Sequence, residues 1–157
     1  MRIMFVCHGN ICRSPMAECI MRYLLEEAGL SDEVAVASSA TSTEEIWNGV
    51  GNPIYPPAVR ELARHGIEVP KRQAVQLQKS DYQKYDLFIG MDGANIRNMM
   101  RIFGTDPDGK VHKLLSFAKR EADVADPWYT GDFAITYRDI LAGCKGLLLE
   151  IKATKKG

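Results

Sequence analysis

The chain carries no surplus of charge. Its 20 lysines and arginines balance 20 aspartates and glutamates across 157 residues. Nucleic-acid and membrane-surface binding draw on a basic excess, so neither partner is expected. No apolar run is long enough to span a bilayer. The N-terminus lacks the basic segment, long apolar stretch and small-residue cleavage site of a secretory leader, which makes a cytoplasmic location the expectation. Cysteine is sparse and unevenly spread: Cys7, Cys12 and Cys19 cluster early, Cys144 is late, and none lies between. That is no disulfide framework, and a cytosolic chain keeps its thiols reduced. With no internal repeat and no low-complexity segment, residues 1–157 form a single expected domain, with a frayed basic tail over 152–157.

What is present alternates between two periods. Residues 2–6 form a short apolar run, as do 34–37, 86–91 and 111–115, each the length of a buried strand. Between them lie helical patterns. Ala17, Ile20, Met21, Leu24 and Ala28 share one helix face, which Gly29 ends. Residues 58–65 and 92–103 are further helices, closed by Gly66 and Gly104. Asp81–Tyr85 reads as a short helical turn. A last helix over 132–152 carries a stripe of Tyr137, Ile140, Leu141, Cys144, Leu147, Leu148 and Ile151. Residues 47–57, rich in Gly, Pro and Asn, read as loop, and so do most of 118–130. Strands alternating with helices predict an α/β fold: a four-stranded parallel sheet with helices on both faces, doubly wound. Such sheets bind ligands at the carboxyl ends of their strands, where strand order reverses.

The stretch VCHGNICRSP, residues 6–15, occupies that position after the first strand. Ser14 reads as the N-cap of the helix and Pro15 as its first residue. Successive N–H groups in a loop entering a helix form an anion nest. Gly9 is free to take positive φ, and Asn10 tolerates it. Arg13 can grip two oxygens of a tetrahedral oxyanion, and the same groups favour a thiolate at Cys7. Nucleotide loops do not fit: there is no Gly-Lys-Ser/Thr and only one glycine. A zinc site from Cys7, His8 and Cys12 has poor spacing and no second ligand pair. Cys7 followed by this glycine, asparagine, arginine and serine is not an isolated packing thiol. The loop is suited to holding phosphate against sulfur.

VCHGNICRSPMAE closely resembles the signature of the low-molecular-weight protein tyrosine phosphatases. The resemblance runs along nearly the whole chain, through Ser39-Ala40, Trp47, His65-Gly66-Ile67, Met91-Asp92 with Asn95, and Asp126-Pro127-Trp128. It implies hydrolysis of phosphotyrosine-like monoesters through a cysteinyl phosphate, with no metal and no cofactor. Cys7 is then the nucleophile, Arg13 the phosphate clamp and Asp126 the general acid and base. Inorganic phosphate is the product and an inhibitor. His8, Gly9, Asn10, Ile11 and Cys12 would form the phosphate loop, with Ser14 assisting the sulfur and Ser39 partnering Asn10. Trp47, Trp128 and Tyr129 would wall the cleft. Cys12, in the same loop as Cys7, would form a protective disulfide with it under oxidation.

Two departures from the pattern stand out. Arg72 occupies a position usually held by histidine and is expected to pair with Glu18. The segment from Ser39 to Trp47 is slightly long, and Tyr55-Pro56-Pro57 replaces an Asp-Pro, so the cleft rim differs. Two other functions are weighed. An arsenate reductase of the same fold needs downstream cysteines to relay a disulfide, and they are missing. A non-catalytic phosphoprotein-binding module would not need both Cys7 and Asp126.

Overall fold

The computed structural model describes residues 1–156. Strand β1 (Arg2–Cys7) is followed by helix α1 (Arg13–Glu27) and β2 (Ala35–Ala40). A hairpin of β3 (Ile46–Trp47) and β4 (Val50–Gly51) leads to α2 (Pro56–Arg64). After a 3₁₀ turn at Lys79–Gln83 come β5 (Leu87–Gly90), α3 (Gly93–Phe103) and β6 (Val111–Lys113). A second 3₁₀ turn, Leu114–Ala118, precedes the short α4 (Pro127–Thr130) and the long α5 (Phe133–Lys156).

The four main strands are parallel, in the order β2-β1-β5-β6. The expected doubly wound sheet is therefore present. Alternation along β1 explains how it is covered. Ile3, Phe5 and Cys7 face the core formed with α1, α2 and α5, while Met4 and Val6 face Phe88, Met99 and Phe103 under α3. The chain leaves β1 for β2 on one side and later enters β5 on the other. The carboxyl end of β1 is thus the switch point, and the loop 8–12 leaves from it.

Several boundaries differ from the sequence reading for identifiable reasons. β2 extends through Ala40 because small buried residues at 38–40 pair with Phe5, Val6 and Cys7. Residues 46–51 are a hairpin rather than loop, turned by Asn48 and Gly49, both at positive φ. The stretch expected as a strand through Leu115 stops at Lys113 and tightens into 3₁₀. Helix α5 continues through Lys156, past the point where a frayed tail was expected. Lys155 in this stretch pairs with Glu33, and Gly157 lies outside the described residues.

Two glycines in α5 set how closely it meets the Leu114–Ala118 turn. A Cβ on Gly146 would stand 2.0 Å from the Phe117 carbonyl oxygen, and one on Gly143 would stand 2.5 Å from Leu114 Cγ. Gly→Ala inside a helix ordinarily stabilises by ~1 kcal/mol. At Gly146 the obstacle is backbone and cannot rotate away, and overpacking of this kind costs about 1–3 kcal/mol. Gly146→Ala is therefore expected to lower the urea midpoint, with no change in m-value, whereas helix propensity alone predicts a rise.

Candidate active site

The loop from His8 to Cys12 turns its carbonyls outward. Those of Cys7 and His8 accept from Thr41 N and Ser42 N, that of Asn10 from Arg72, and that of Ile11 from Tyr55 N. Flanking segments thus hold the peptide planes from outside, and the Asn10 N–H points at the Cys7 sulfur. The first N–H groups of α1 have no partner within the helix.

Asn10 organises this turn. It is fully buried and adopts φ 58°, a conformation few residues other than glycine accept. Its N–H points at Cys7 Sγ, 3.3 Å away. Its Nδ2 donates to Ser14 Oγ (2.8 Å) and Ser38 Oγ (2.9 Å), and its Oδ1 accepts from Arg72 Nη2 (2.5 Å) and Val75 N (3.0 Å). Every polar atom of the side chain is used. Ser14 Oγ lies 3.0 Å from Cys7 Sγ. It accepts from Asn10, and its proton can go to the sulfur or to the Ser39 carbonyl, which lies farther off at 3.5 Å.

Three expectations about this network are corrected. Ser14 is not the N-cap: Cys12 holds that position without a side-chain cap, and Ser14 turns inward to the sulfur. Pro15 accordingly sits third in α1, still within the first turn, where its missing N–H does no harm. The partner of Asn10 is Ser38, not Ser39. Adjacent strand residues point to opposite faces, and Ser39 Oγ is buried without a hydrogen-bond partner among the described residues. Arg72 does not ion-pair with Glu18. It reaches Asn10 instead, and Ser38 stands between the two, donating to Glu18 (2.5 Å) and accepting from Arg72 (3.3 Å). Glu18 pairs directly with Arg22 at 2.6 Å.

Arg13 is 4% exposed. Its Nη1 donates to Asp92 Oδ2 and to the Val124 carbonyl, each at 2.8 Å, and its Nη2 lies 3.6 Å from Asp126 Oδ2. Burial opposes its charge, but Cys7 and Asp92 outweigh that and hold the guanidinium above its ordinary value. Asp92 also caps α3, accepting from Asn95 N. Asp92 was noted only as part of a matching motif. Its position at the carboxyl end of β5, beside the switch point, was the available signal that it belongs to the site.

Asp126 enters from the other end of the chain. Its Oδ1 accepts from Trp128 N (3.0 Å), while Thr136 Oγ1 bonds the Ala125 carbonyl and ties the loop to α5. Cys7, Arg13 and Asp126 therefore line one pocket of about 240 Å³, together with Gly9, Ile11 and Cys12. Trp128 and Tyr129 form a wall, backed by Tyr55, whose ring lies 5.2 Å from that of Trp128. His8, Glu44 and Glu45 complete the rim. Trp47 is not part of the lining: it sits on the β3–β4 hairpin, 81% exposed. The inserted hairpin carries it off the cleft, and Tyr55 takes up aromatic contact there. Burial, and after it the nearby Cys7, push the Cys12 thiol up.

Fold and site together define a class: α/β proteins that cradle a tetrahedral oxyanion over a cysteine, with a carboxylic acid at the mouth. A sequence model of the low molecular weight phosphotyrosine protein phosphatases matches residues 2–157. Low molecular weight protein-tyrosine-phosphatase YfkJ of Bacillus subtilis is 35% identical over 156 residues, 98% of this chain and 97% of that one. The crystal structure of YfkJ superposes with a TM-score of 0.92 at 34% identity, covering 99% and 96% of the two chains. That of the Streptococcus pyogenes low molecular weight protein tyrosine phosphatase gives 0.83 at 35%, covering 95% and 91%. A Drosophila arginine phosphatase gives 0.84 at 26%, covering 97% and 98%. The chain belongs to the low molecular weight phosphotyrosine protein phosphatase family.

Arg72 supplies a charge that does not titrate in the physiological range. Charged hydrogen bonds contribute about 1.5–3 kcal/mol, so Arg72→Ala is expected to lower kcat tenfold or more while changing KM little. Arg72→His is expected to recover activity only where the imidazole is protonated. Its kcat/KM then falls between pH 5.5 and 7.5 relative to wild type, which a pH–rate profile checks.

Proposed function

We propose that this protein hydrolyses phosphotyrosine-like aryl phosphate monoesters, with Cys7, Arg13 and Asp126 as its catalytic residues. The observation that carries the reading is the meeting of these three side chains in one pocket, with the Asn10 N–H pointing at the Cys7 sulfur. Cys7 sulfur attacks phosphorus, an S–P bond forms, and the ester P–O bond breaks. Asp126 donates its proton to the leaving phenolate oxygen. In the second step Asp126 takes a proton from water, whose oxygen attacks phosphorus. The S–P bond breaks and the thiolate leaves, stabilised by Ser14 Oγ and the Asn10 amide. Arg13 and the loop amides hold the equatorial oxygens as charge develops. Ile11 and the aromatic wall suit a flat phenyl ring. Inorganic phosphate, as product, competes for the same cradle.

Arsenate reduction gains no support. Beyond Cys19 the sole thiol is Cys144, which is fully buried on α5 and leaves no downstream pair to relay a disulfide. A reducing cytoplasmic compartment suits a protein that depends on a free thiol, and no helix among the described residues is long and apolar enough to cross a membrane.

Hydrolysis of p-nitrophenyl phosphate in EDTA tests the assignment. Cys7→Ser is expected to abolish turnover, and Asp126→Ala to lower kcat on aryl esters by ~10²–10⁴. Turnover that survives Cys7→Ser would overturn the mechanism.

Cys12 fits a protective role. Peroxide oxidises Cys7 to the sulfenic acid with release of water. Cys12 then attacks that sulfur, so that the S–S bond forms, the S–O bond breaks and a second water leaves. Inactivation by peroxide is expected to be reversed by dithiothreitol in wild type and to become irreversible in Cys12→Ala.

A further inference from the structure

Part of the rim is acidic, although on the phosphatase reading the pocket takes a dianion. Glu44 and Glu45 both line it, and the segment that carries them is fastened to the phosphate loop. Ser42 bonds the His8 carbonyl through both its N–H (3.0 Å) and its hydroxyl (2.9 Å). Asn52 holds Glu45 twice, its N–H donating to the Glu45 carbonyl (2.8 Å) and its Nδ2 to Oε2 (2.7 Å). Glu45 Cγ lies 3.1 Å from where a Cβ on Gly9 would stand. The carboxylate stem thus rests against the loop itself, and the missing side chain of Gly9, which does not adopt positive φ, gives it room.

The charges on this rim are not balanced by the protein. Glu45 is held by a neutral amide. Glu44 Oε2 is 2.9 Å from His8 Nε2, which offsets it only when the imidazole is protonated. The one permanent cation in the lining, Arg13, is buried and engaged by Asp92, with Asp126 close by. A phosphate dianion entering alone meets like charge at the mouth. A substrate that carries its own cation beside the phosphoryl group turns the same two carboxylates into an attraction.

We propose that Glu44 and Glu45 are specificity-determining residues that select phosphotyrosine flanked in the peptide by arginine or lysine. This rests on the phosphatase reading above and names its substrate class. The aromatic wall receives the phenyl ring, and the basic neighbour lies across the acidic part of the rim.

The test uses the full chain and phosphotyrosine peptides identical except for the neighbouring residues, which are arginine, alanine or glutamate. In wild type at low salt, kcat/KM is expected to favour the arginine peptide over the glutamate peptide by about tenfold. The ratio is expected to shrink in 0.5 M salt, where surface charges are screened, and to approach unity in the double variant Glu44→Gln/Glu45→Gln. Glu44→Lys/Glu45→Lys is expected to reverse it. Each variant is its own reference, so a loss of folded protein cancels from the ratio. A wild-type ratio near one, or a ratio unmoved in the double variant, overturns the proposal. If no phosphotyrosine peptide is hydrolysed while a phosphoarginine peptide is, the phosphotyrosine reading itself fails instead.

Discussion

The side chain of Asn10 is the point on which this site depends. A buried residue held at φ 58° is kept there only if its surroundings over-determine it. Here they do, because the amide has two acceptors for its two protons and two donors for its oxygen. One contact fixes Ser14 against the sulfur, another fixes β2 through Ser38, and a third draws in Arg72 from the far side of α2. The loop that faces the substrate is therefore shaped from behind. Loss of any one partner leaves a buried polar group unpaired, which costs more than the bond contributes when made.

Arg13 raises a different problem. A guanidinium held 4% exposed must be paired within the protein, and pairing every donor would leave none for a ligand. The sheet topology answers this. β5 ends at the switch point and delivers Asp92, whose carboxylate holds Nη1 from the side, while Val124 contributes a carbonyl beside it. These contacts orient the fork without occupying all five of its donors. Asp126 stands farther off, at 3.6 Å, and shares the pocket with the guanidinium and Cys7.

Much of this was legible in the sequence, and the reasons are local. Short apolar runs placed the four strands, because both faces of the sheet are covered, and the 3.6-residue period placed the main helices, because one face of each is buried. The phosphate loop was legible because its chemistry is compressed into a few consecutive residues. Which partner holds which was not. Ser38 and Ser39 are adjacent and chemically identical, and only the register of β2 against β1 decides which one faces Asn10. Arg72 and Glu18 carry opposite charges, but the intervening Ser38 hydroxyl, invisible in any pairwise charge argument, takes both. Trp47 is a loop aromatic in sequence, but it lies on the hairpin turned by Asn48-Gly49 and outside the pocket lining. Tyr55 could be marked as a departure at the rim but not as the residue that would meet Trp128.

These outcomes separate two parts of the pocket. The floor is made of consecutive residues of one loop, and its supports are buried, fully bonded and charged in a way that does not respond to ordinary pH. The rim is assembled from separate segments: the hairpin after Glu45 and the Trp128–Tyr129 pair, both largely exposed, and the half-buried Tyr55 turn. A change on the floor breaks the network around Asn10 and with it the nucleophile's environment. A change at the rim alters what stands beside the phosphoryl group while leaving the sulfur, the guanidinium and the acid where they are. Gly9 is where the two parts meet. Its missing side chain lets Glu45 lie against the loop, so the charge presented to an incoming substrate is set within contact distance of the residues that would do the chemistry.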